Sequence, residues 1–448
     1  MRSILQALLA TTLLFVGTAT ARYDDTPYMG CTGVPNNSPV LDLPATPLKT
    51  VPNGQSWKME QDTNFVYIAK LSGTPYQMGY AYGQLFGKEI GDNFNNVLNY
   101  GYTKLESILS KFGIPEVMIY YIWSQAQPAV LYLLDLNWQI AEPWIPQRFV
   151  DELRGIADGS GGAVTEQNIR RANMLPELTQ AACSIVGSWG AASQDGKLYH
   201  LRALDWEPTA PVNQYPSVVI YEPSEEGSET FANIGYLGLI GSLTAMSKLG
   251  ISVGEKVFYA RAGDYEDPPH ITYYGKPWAF HLRDTVQFAK NLADVEQMLF
   301  NVNRTMMIHL GYGSLPDKAF RGHDYAANFV IPYDDKNYTH YSQAHPQLDG
   351  IFYYDRQVQP SGSPCIGSIL NATHGSVNPA TMYRDIAGYD ETGNAQVIVM
   401  DPEAQEIWAT WSQYGASVNA YERSPMHIKL ADFWGAGMKC GGGGFLSA

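Results

Sequence analysis

The apolar positions of this chain change period near residue 183. From Thr74 to Gln180 they recur at helical spacing, with Met78, Tyr82, Leu85 and Phe86 on one face and Phe149, Leu153 and Ile156 on another. Thr74 followed by Pro75 reads as a helix start with proline in the first turn. Beyond Cys183, short β-prone runs set off by turns take over: Ser184–Val186, Lys197–Arg202, Ser217–Tyr221 and Gln396–Met400. Gln396–Asp401 and Glu406–Ser412, separated by Pro402–Gln405, predict a hairpin. A helical first part ahead of a strand-rich second part predicts an α+β, layered fold, not alternating β-α units.

At the N-terminus, Arg2, the apolar run Ile4–Val16 and the small residues Ala19, Thr20 and Ala21 have the order of a secretory signal peptide cut before Arg22. That run is shorter than the roughly 20 apolar residues a membrane span needs. The most apolar later stretch, Ile114–Ile140, is broken by Gln125, Gln127, Pro128, Asp135 and Asn137. It predicts buried helices with one face left for a greasy ligand or passing contact with a membrane surface, and no transmembrane segment. No Gly/Ser linker, repeat or low-complexity stretch divides the rest. The expected organisation is a leader over 1–21, a mainly helical part over 22–182 and a β-rich part over 183–448.

Composition narrows the function. An apolar content of 45% with 12% aromatics is ample for a large core. A net charge of −15 excludes nucleic acid, whose phosphates require a basic surface, and suits an acidic lumen. Four cysteines are too few for a disulfide framework of the small-domain kind. Sequons at Asn36, Asn303, Asn337 and Asn371 fit a glycosylated secreted or lysosomal protein, Asn36 least because Pro39 follows its serine. The histidines show no metal-binding spacing and no Gly-rich phosphate loop occurs, so neither metal nor cofactor is expected. Asp158–Gly162 lacks the first glycine of a nucleophile elbow, and the residues after Cys183 are not those of a papain-like enzyme.

Cys183 lies at the junction of the two textures, with Arg202 and Asp205 downstream. A buried free cysteine serves equally as a small hydrophobe, and Arg202 with Asp205 reads equally as a strand-end ion pair. Residues three apart on a strand fall on opposite faces, so those two converge only if the strand ends near Ala203–Leu204.

Five pieces, in order, resemble the family of acid ceramidase, N-acylethanolamine acid amidase and the penicillin acyltransferases. They are Ser72–Gly83; Glu152–Gly162 with Asn173–Glu177; Asp195–Trp206; Leu249–Glu255; and Thr381–Asp385 leading to Gln396–Met400. The resemblance implies a four-layer αββα N-terminal-nucleophile fold with an N-terminal helical portion. It also implies self-cleavage between Ala182 and Cys183. In that chemistry the freed α-amino group, with pKa ~7.7–8.0, takes the proton of a thiol with pKa ~8.5. Arg202 would favour the thiolate, Asp205 would orient the ammonium, and Glu255 would pair with Arg202 or assist self-cleavage. The family's oxyanion-stabilising Asn matches Ser342–His345, where Ala344 stands in its place and His345 or a backbone N–H is left to substitute. Arg356 matches a later family arginine beside the site. The Cys-to-Arg interval is lengthened around Ser188–Gln194, as a hairpin tip would absorb. With Cys183 free, Cys31, Cys365 and Cys440 remain for one bond, and the resemblance implies Cys31 to Cys365, tethering the two chains.

The expected function is hydrolysis of an N-acyl amide, a ceramide- or N-acylethanolamine-like lipid, through a thioester on Cys183. The alternatives are a phospholipase B-like or acyltransferase activity on the same scaffold, or a secreted binding or signalling protein that has lost activity.

Overall fold

A computed structural model describes residues 26–112, 114–178, 182–257, 270–416 and 418–434; the leader expected over 1–21 and Cys440 lie outside them. Three strands come first: β1 (Thr46–Val51), β2 (Gly54–Gln61) and β3 (Asn64–Gly73). Four helices follow: α1 (Pro75–Ser110), α2 (Glu116–Ala141), α3 (Gln147–Gly159) and α4 (Glu166–Leu178). After them come β4 (Ala182–Ser188), β5 (Tyr199–Asp205), β6 (Pro216–Pro223), β7 (Phe231–Tyr236), β8 (Thr244–Ser247) and β9 (Ile251–Val257). Helices α5 (Trp278–Phe288) and α6 (Leu292–Phe300) precede β10 (Ile308–Ser314), β11 (Ala319–Tyr325), β12 (Val330–Tyr333) and β13 (Ile351–Tyr354). Helix α7 (Cys365–Thr373) leads through a π-helical turn, Thr381–Ile386, to β14 (Gln396–Asp401), β15 (Glu406–Trp411) and β16 (Met426–Lys429).

The strands form two sheets, one in the order β1-β2-β3-β6-β7-β8-β9-β10-β11-β12 and one in the order β13-β4-β5-β14-β15-β16. Between them Ile68, Val218, Ile234 and Met246 of the large sheet meet Cys183, Leu204, Ile398 and Trp411 of the small one. The other face of the large sheet carries Leu71, Tyr221 and Ile308 against Met78, Phe149 and Phe280 of helices α1, α3 and α5. The outer face of the small sheet carries Leu201, Val397 and Val399 against Ile366, Ile369 and Met382. Helix, sheet, sheet, helix: the fold is the α+β four-layer sandwich expected.

Local chemistry explains the boundaries. Thr74 caps α1 with a reciprocal capping box to Gln77, and Pro75 takes the first turn. The hairpin expected over 396–412 is β14–β15, in register from Gln396 opposite Trp411 to Asp401 opposite Glu406. The N-terminal part is not helical alone, because β3 runs parallel to β6 and extends the large sheet.

One expectation is corrected. Ile114–Ile140 is not a pair of buried helices but the single helix α2, and much of it faces solvent: Val117 is 74% exposed and Tyr121 66%. The reason is length. α1 kinks at Phe86 (φ −136°, ψ 19°), and at 1.5 Å per residue its two segments together trace about 54 Å, yet its buried residues stop at Phe94. The second half of α1 and most of α2 therefore overhang the sheet. No helix among the described residues is long and apolar enough to cross a membrane.

Two of the family-like pieces meet where α1 crosses α3. A Cβ on Gly79 would lie 2.0 Å from the carbonyl oxygen of Glu152, and one on Gly83 2.2 Å from that of Ile156. A Cβ on Gly159 would lie 2.1 Å from the Tyr80 carbonyl oxygen. These glycines let two backbones touch. Gly83→Ala gains ~1 kcal/mol of helix propensity, but overpacking against an immovable backbone costs ~1–3 kcal/mol or more. The expected net effect is destabilisation, read as a lower denaturation midpoint. Gly235→Ala, with nothing within 4 Å of the added Cβ, should leave that midpoint nearly unchanged.

Candidate functional site

Cys183 is the second residue of β4, fully buried, with its side chain between the sheets. It is a free thiol, while Cys31 and Cys365 form a disulfide with Cα atoms 4.7 Å apart. Ala182, the residue before it, is exposed.

Arg202 points from β5 into the same space and is fully buried. Its Nη2 donates to Cys183 Sγ at 3.5 Å and pairs with the Glu255 carboxylate. Its Nε donates to the Glu255 carbonyl oxygen at 3.3 Å and its Nη1 to Gln396 Oε1 at 3.2 Å. Gly254 makes room for it, since a Cβ there would lie 2.8 Å from Arg202 Cγ. The piece Leu249–Glu255 thus supplies both the gap and the counter-charge for one guanidinium. The lengthened Cys-to-Arg interval is a turn between β4 and β5, over Gly190–Ala192.

Asp205 ends β5 on the opposite face from Arg202, in register with Ala182. Its carboxylate accepts from Thr392 Oγ1 at 2.7 Å and from the backbone N–H groups of Gly393 and Asn394 at 2.7 and 3.3 Å. Burial raises its pKa, and Arg356 and these donors offset part of the rise. Arg356 donates to the Glu391 carbonyl oxygen at 2.9 Å, and its charge bears on Asp205 and Asp390. Arg356 and Asp205 therefore sit together, on the other side of β5 from the Arg202 guanidinium.

The structure does not bring the 342–345 run to the thiol. His345 stacks on Tyr353 at 3.8 Å between ring centroids, and Tyr353 faces the outer helices. Ala344 places its carbonyl oxygen over Gly367 of α7. Of the sequons, Asn303, Asn337 and Asn371 are exposed, whereas Asn36 is buried with its Nδ2 donating to the Arg423 carbonyl oxygen at 2.8 Å.

Two residues to which the sequence assigned no role join the site. Gln396 shares the row Cys183–Leu204–Gln396 across β4, β5 and β14. Lys256 lies on β9 in phase with Ser252 and Gly254, buried, and its charge acts on Cys183, Asp355 and Asp205. The signal for both is period two: a polar residue in phase with positions that face the core, as Gln396 is with Ile398 and Met400.

In the intact chain the thiol is held protonated. Burial pushes the Cys183 thiol up to about 12; Glu255 and Asp205 add to the rise, and Arg202 and Lys256 oppose it. Burial, aided by the Arg202 charge, takes His200 down to about 3, and it lies opposite Gly187, four residues along β4 from Cys183. At pH 8 the thiolate population is then about three orders of magnitude below that of an exposed thiol with pKa ~8.5. Iodoacetamide should label Cys183 of the uncut, folded chain slower than the unfolded chain by about that factor. The native thiol keeps its proton where the unfolded one has lost it. Stability should therefore fall as pH rises above ~8.5 towards the native value, and Cys183→Ala should remove that part of the fall.

No family model matches the chain. Protein dcd1A of Dictyostelium discoideum is 28% identical over 449 residues, covering 95% of this chain and 98% of that protein. Protein dcd1B of the same organism is 30% identical over 370 residues, covering 81% of this chain and 71% of that protein. Among solved structures, a Caenorhabditis elegans N-acylethanolamine-hydrolyzing acid amidase ortholog aligns over 55% of this chain and all of its own, with 14% identity and a TM-score of 0.37. Penicillin V acylase from Agrobacterium tumefaciens aligns over 51% of this chain and 83% of its own, with 8% identity and a TM-score of 0.32. The architecture above stands on the chain's own sheet order, and the sequence likeness over most of both slime-mould proteins places the chain in the family of Protein dcd1A and Protein dcd1B.

Proposed function

We propose that this protein is a cysteine amidase that activates itself by cutting before Cys183. The observation that carries this reading is the Arg202 guanidinium on Sγ of a cysteine that opens an inner strand directly after an exposed residue. The intact site holds a nucleophile beside a cation. Cleavage supplies the base in the same residue, as a free α-amino group with pKa ~7.7–8.0.

In self-cleavage Sγ attacks the Ala182 carbonyl carbon, the C–N bond to Cys183 breaks as its nitrogen takes a proton, and water hydrolyses the thioester. In turnover the freed amine takes the thiol proton and Sγ attacks the substrate carbonyl. The leaving amine departs with that proton, and water releases the acid. Asp205, opposite Ala182 in register, would hold the new ammonium.

A lipid-like acyl group is supported by the overhanging α1–α2 hairpin. Tyr120, Tyr121 and Tyr132 are exposed on it. Tyr100 and Lys104 of α1 bond to Glu207, two residues after Asp205, which ties α1 of this hairpin to the end of β5. The cut chains would stay joined through Cys31–Cys365, the β3–β6 ladder and the buried Glu152–Arg283 ion pair. A second reading, a binding protein without turnover, is favoured by Ala344, which offers no side-chain amide.

Expression with the leader intact should yield chains 22–182 and 183–448, seen as one band that splits on reduction. Cys183→Ala should give one uncut chain. An uncut wild-type chain with no hydrolysis of a fluorogenic N-acyl amide at acidic pH would leave the binding reading in place. Arg202→Met and Asp205→Asn should lose turnover at least 10²-fold while still being secreted, and loss of secretion would mark either residue as structural instead. Endoglycosidase treatment should remove three glycans, from Asn303, Asn337 and Asn371, and none from Asn36, whose amide nitrogen is engaged inside the fold.

A further inference from the structure

We propose that Gln396 is a catalytic residue whose side-chain Nε2 donates to the oxyanion formed when Cys183 attacks an amide carbonyl. The proposal rests on the amidase reading and assigns the role that Ala344 cannot fill.

Three observations place it. Gln396 is 1% exposed and shares a transverse row with Cys183, each paired in register with Leu204 of the strand between them. In-register residues on adjacent strands share a face, so both side chains project between the sheets. The orientation of the amide is then fixed by Arg202. Nη1 donates to Gln396 Oε1 at 3.2 Å while Nη2 of the same guanidinium donates to Sγ at 3.5 Å. With its oxygen taken, the amide turns Nε2 elsewhere, and that nitrogen has no hydrogen-bond partner among the described residues. Buried donors are seldom left unpaired in folded proteins, and one whose amide is anchored by the guanidinium that also holds the nucleophile has the chemistry of an oxyanion donor awaiting its acceptor.

The alternatives at the site are weaker. His345 lies on the far face of the small sheet. Arg202 is occupied by Glu255, Gln396 and Sγ itself. Trp411 also carries an unpartnered buried Nε1, but it pairs with Gln396 one strand further from Cys183.

As the Sγ–C bond forms, the carbonyl π pair moves onto oxygen, and Gln396 Nε2 donates to that oxyanion. On collapse the C=O re-forms and the C–N bond breaks. The leaving nitrogen takes the proton that the Cys183 amine had accepted from the thiol. The same donor serves the Ala182 carbonyl in self-cleavage, where the leaving nitrogen is that of Cys183 and takes the thiol proton directly.

Gln396→Glu is the deciding variant, because it keeps an oxygen for Arg202 and replaces the donating NH2 with an acceptor. Gln396→Met removes both contacts at similar volume. In processed protein with the Cys31–Cys365 bond intact, both should lower kcat ~10²–10³-fold, the range for loss of one oxyanion donor, with KM changed by less than about threefold. Precursor conversion should slow in parallel. The rate at which iodoacetamide alkylates Cys183 should stay within a few-fold of wild type in Gln396→Met, because alkylation forms no oxyanion. Wild-type kcat in Gln396→Glu would overturn the proposal by showing that only the Arg202 contact matters. So would equal losses of turnover and alkylation in Gln396→Met, which would mean that Gln396 acts through the thiolate. If Gln396→Met is not secreted, Gln396→Glu decides alone. The amidase reading fails separately, if the processed wild-type protein does not turn over or if Cys183→Ala turns over as fast.

Discussion

One buried guanidinium organises this molecule at its centre. Arg202 of the small sheet is neutralised by Glu255 of the large sheet and touches the cysteine on the strand beside it. Removing a charge of this kind from water carries a penalty of several kcal/mol per ion, recovered only when geometry and hydrogen bonds are complete. Here the Glu255 carboxylate, the Glu255 carbonyl oxygen and Gln396 complete it. The pair is thus poor evidence of stability and good evidence of placement. Any shift of one sheet against the other would expose an unpaired ion, so the sheets are locked in register at the point where the thiol sits.

Gly254 shows how closely the two sheets are fitted there. Its missing side chain admits the Arg202 stem, and the next residue supplies the counter-charge. Elsewhere the inner faces use the same device, with Gly187 lying beneath the Phe320 ring and Gly322 beneath Phe352. Small positions on one sheet receive large side chains from the other, as close packing of interiors requires.

The sequence was most legible where a local rule decides the outcome. The start of α1 at Thr74–Pro75 and the hairpin from Gln396 were visible because capping and turn chemistry act within a few residues. The reading of Ile114–Ile140 went wrong because hydropathy reports which residues are apolar and not how far a neighbouring helix extends. Only the lengths of α1 and the sheet beneath it determine that α2 overhangs. β5 runs through Asp205 instead of ending near Ala203–Leu204, so Arg202 and Asp205 do not converge. Asp205 lies across β5 from Arg202, next to Ala182. Gln396 opens the fifth family-like piece with no role assigned to it, and register through Leu204 brings it to the row of Cys183, whereas Lys256 comes from the other sheet, through the packing of the two.

The five family-like pieces do different physical work, and that limits what each says about chemistry. Ser72–Gly83 and Glu152–Gly162 are the two sides of a helix crossing so close that Gly79 and Gly83 face backbone carbonyl oxygens; they report packing. Asp195–Trp206 and Leu249–Glu255 carry Arg202, Asp205, Gly254 and Glu255, and report the site. A relative could keep the first pair and the fold while losing the second. Within that second pair, Arg202 and Glu255 also hold the sheets together, so a residue without such a duty speaks more directly of chemistry. Asp205 meets that test, because Thr392, Gly393 and Asn394 hold its carboxylate at a strand end, beside the one peptide bond whose cleavage would create a charge for it to bind.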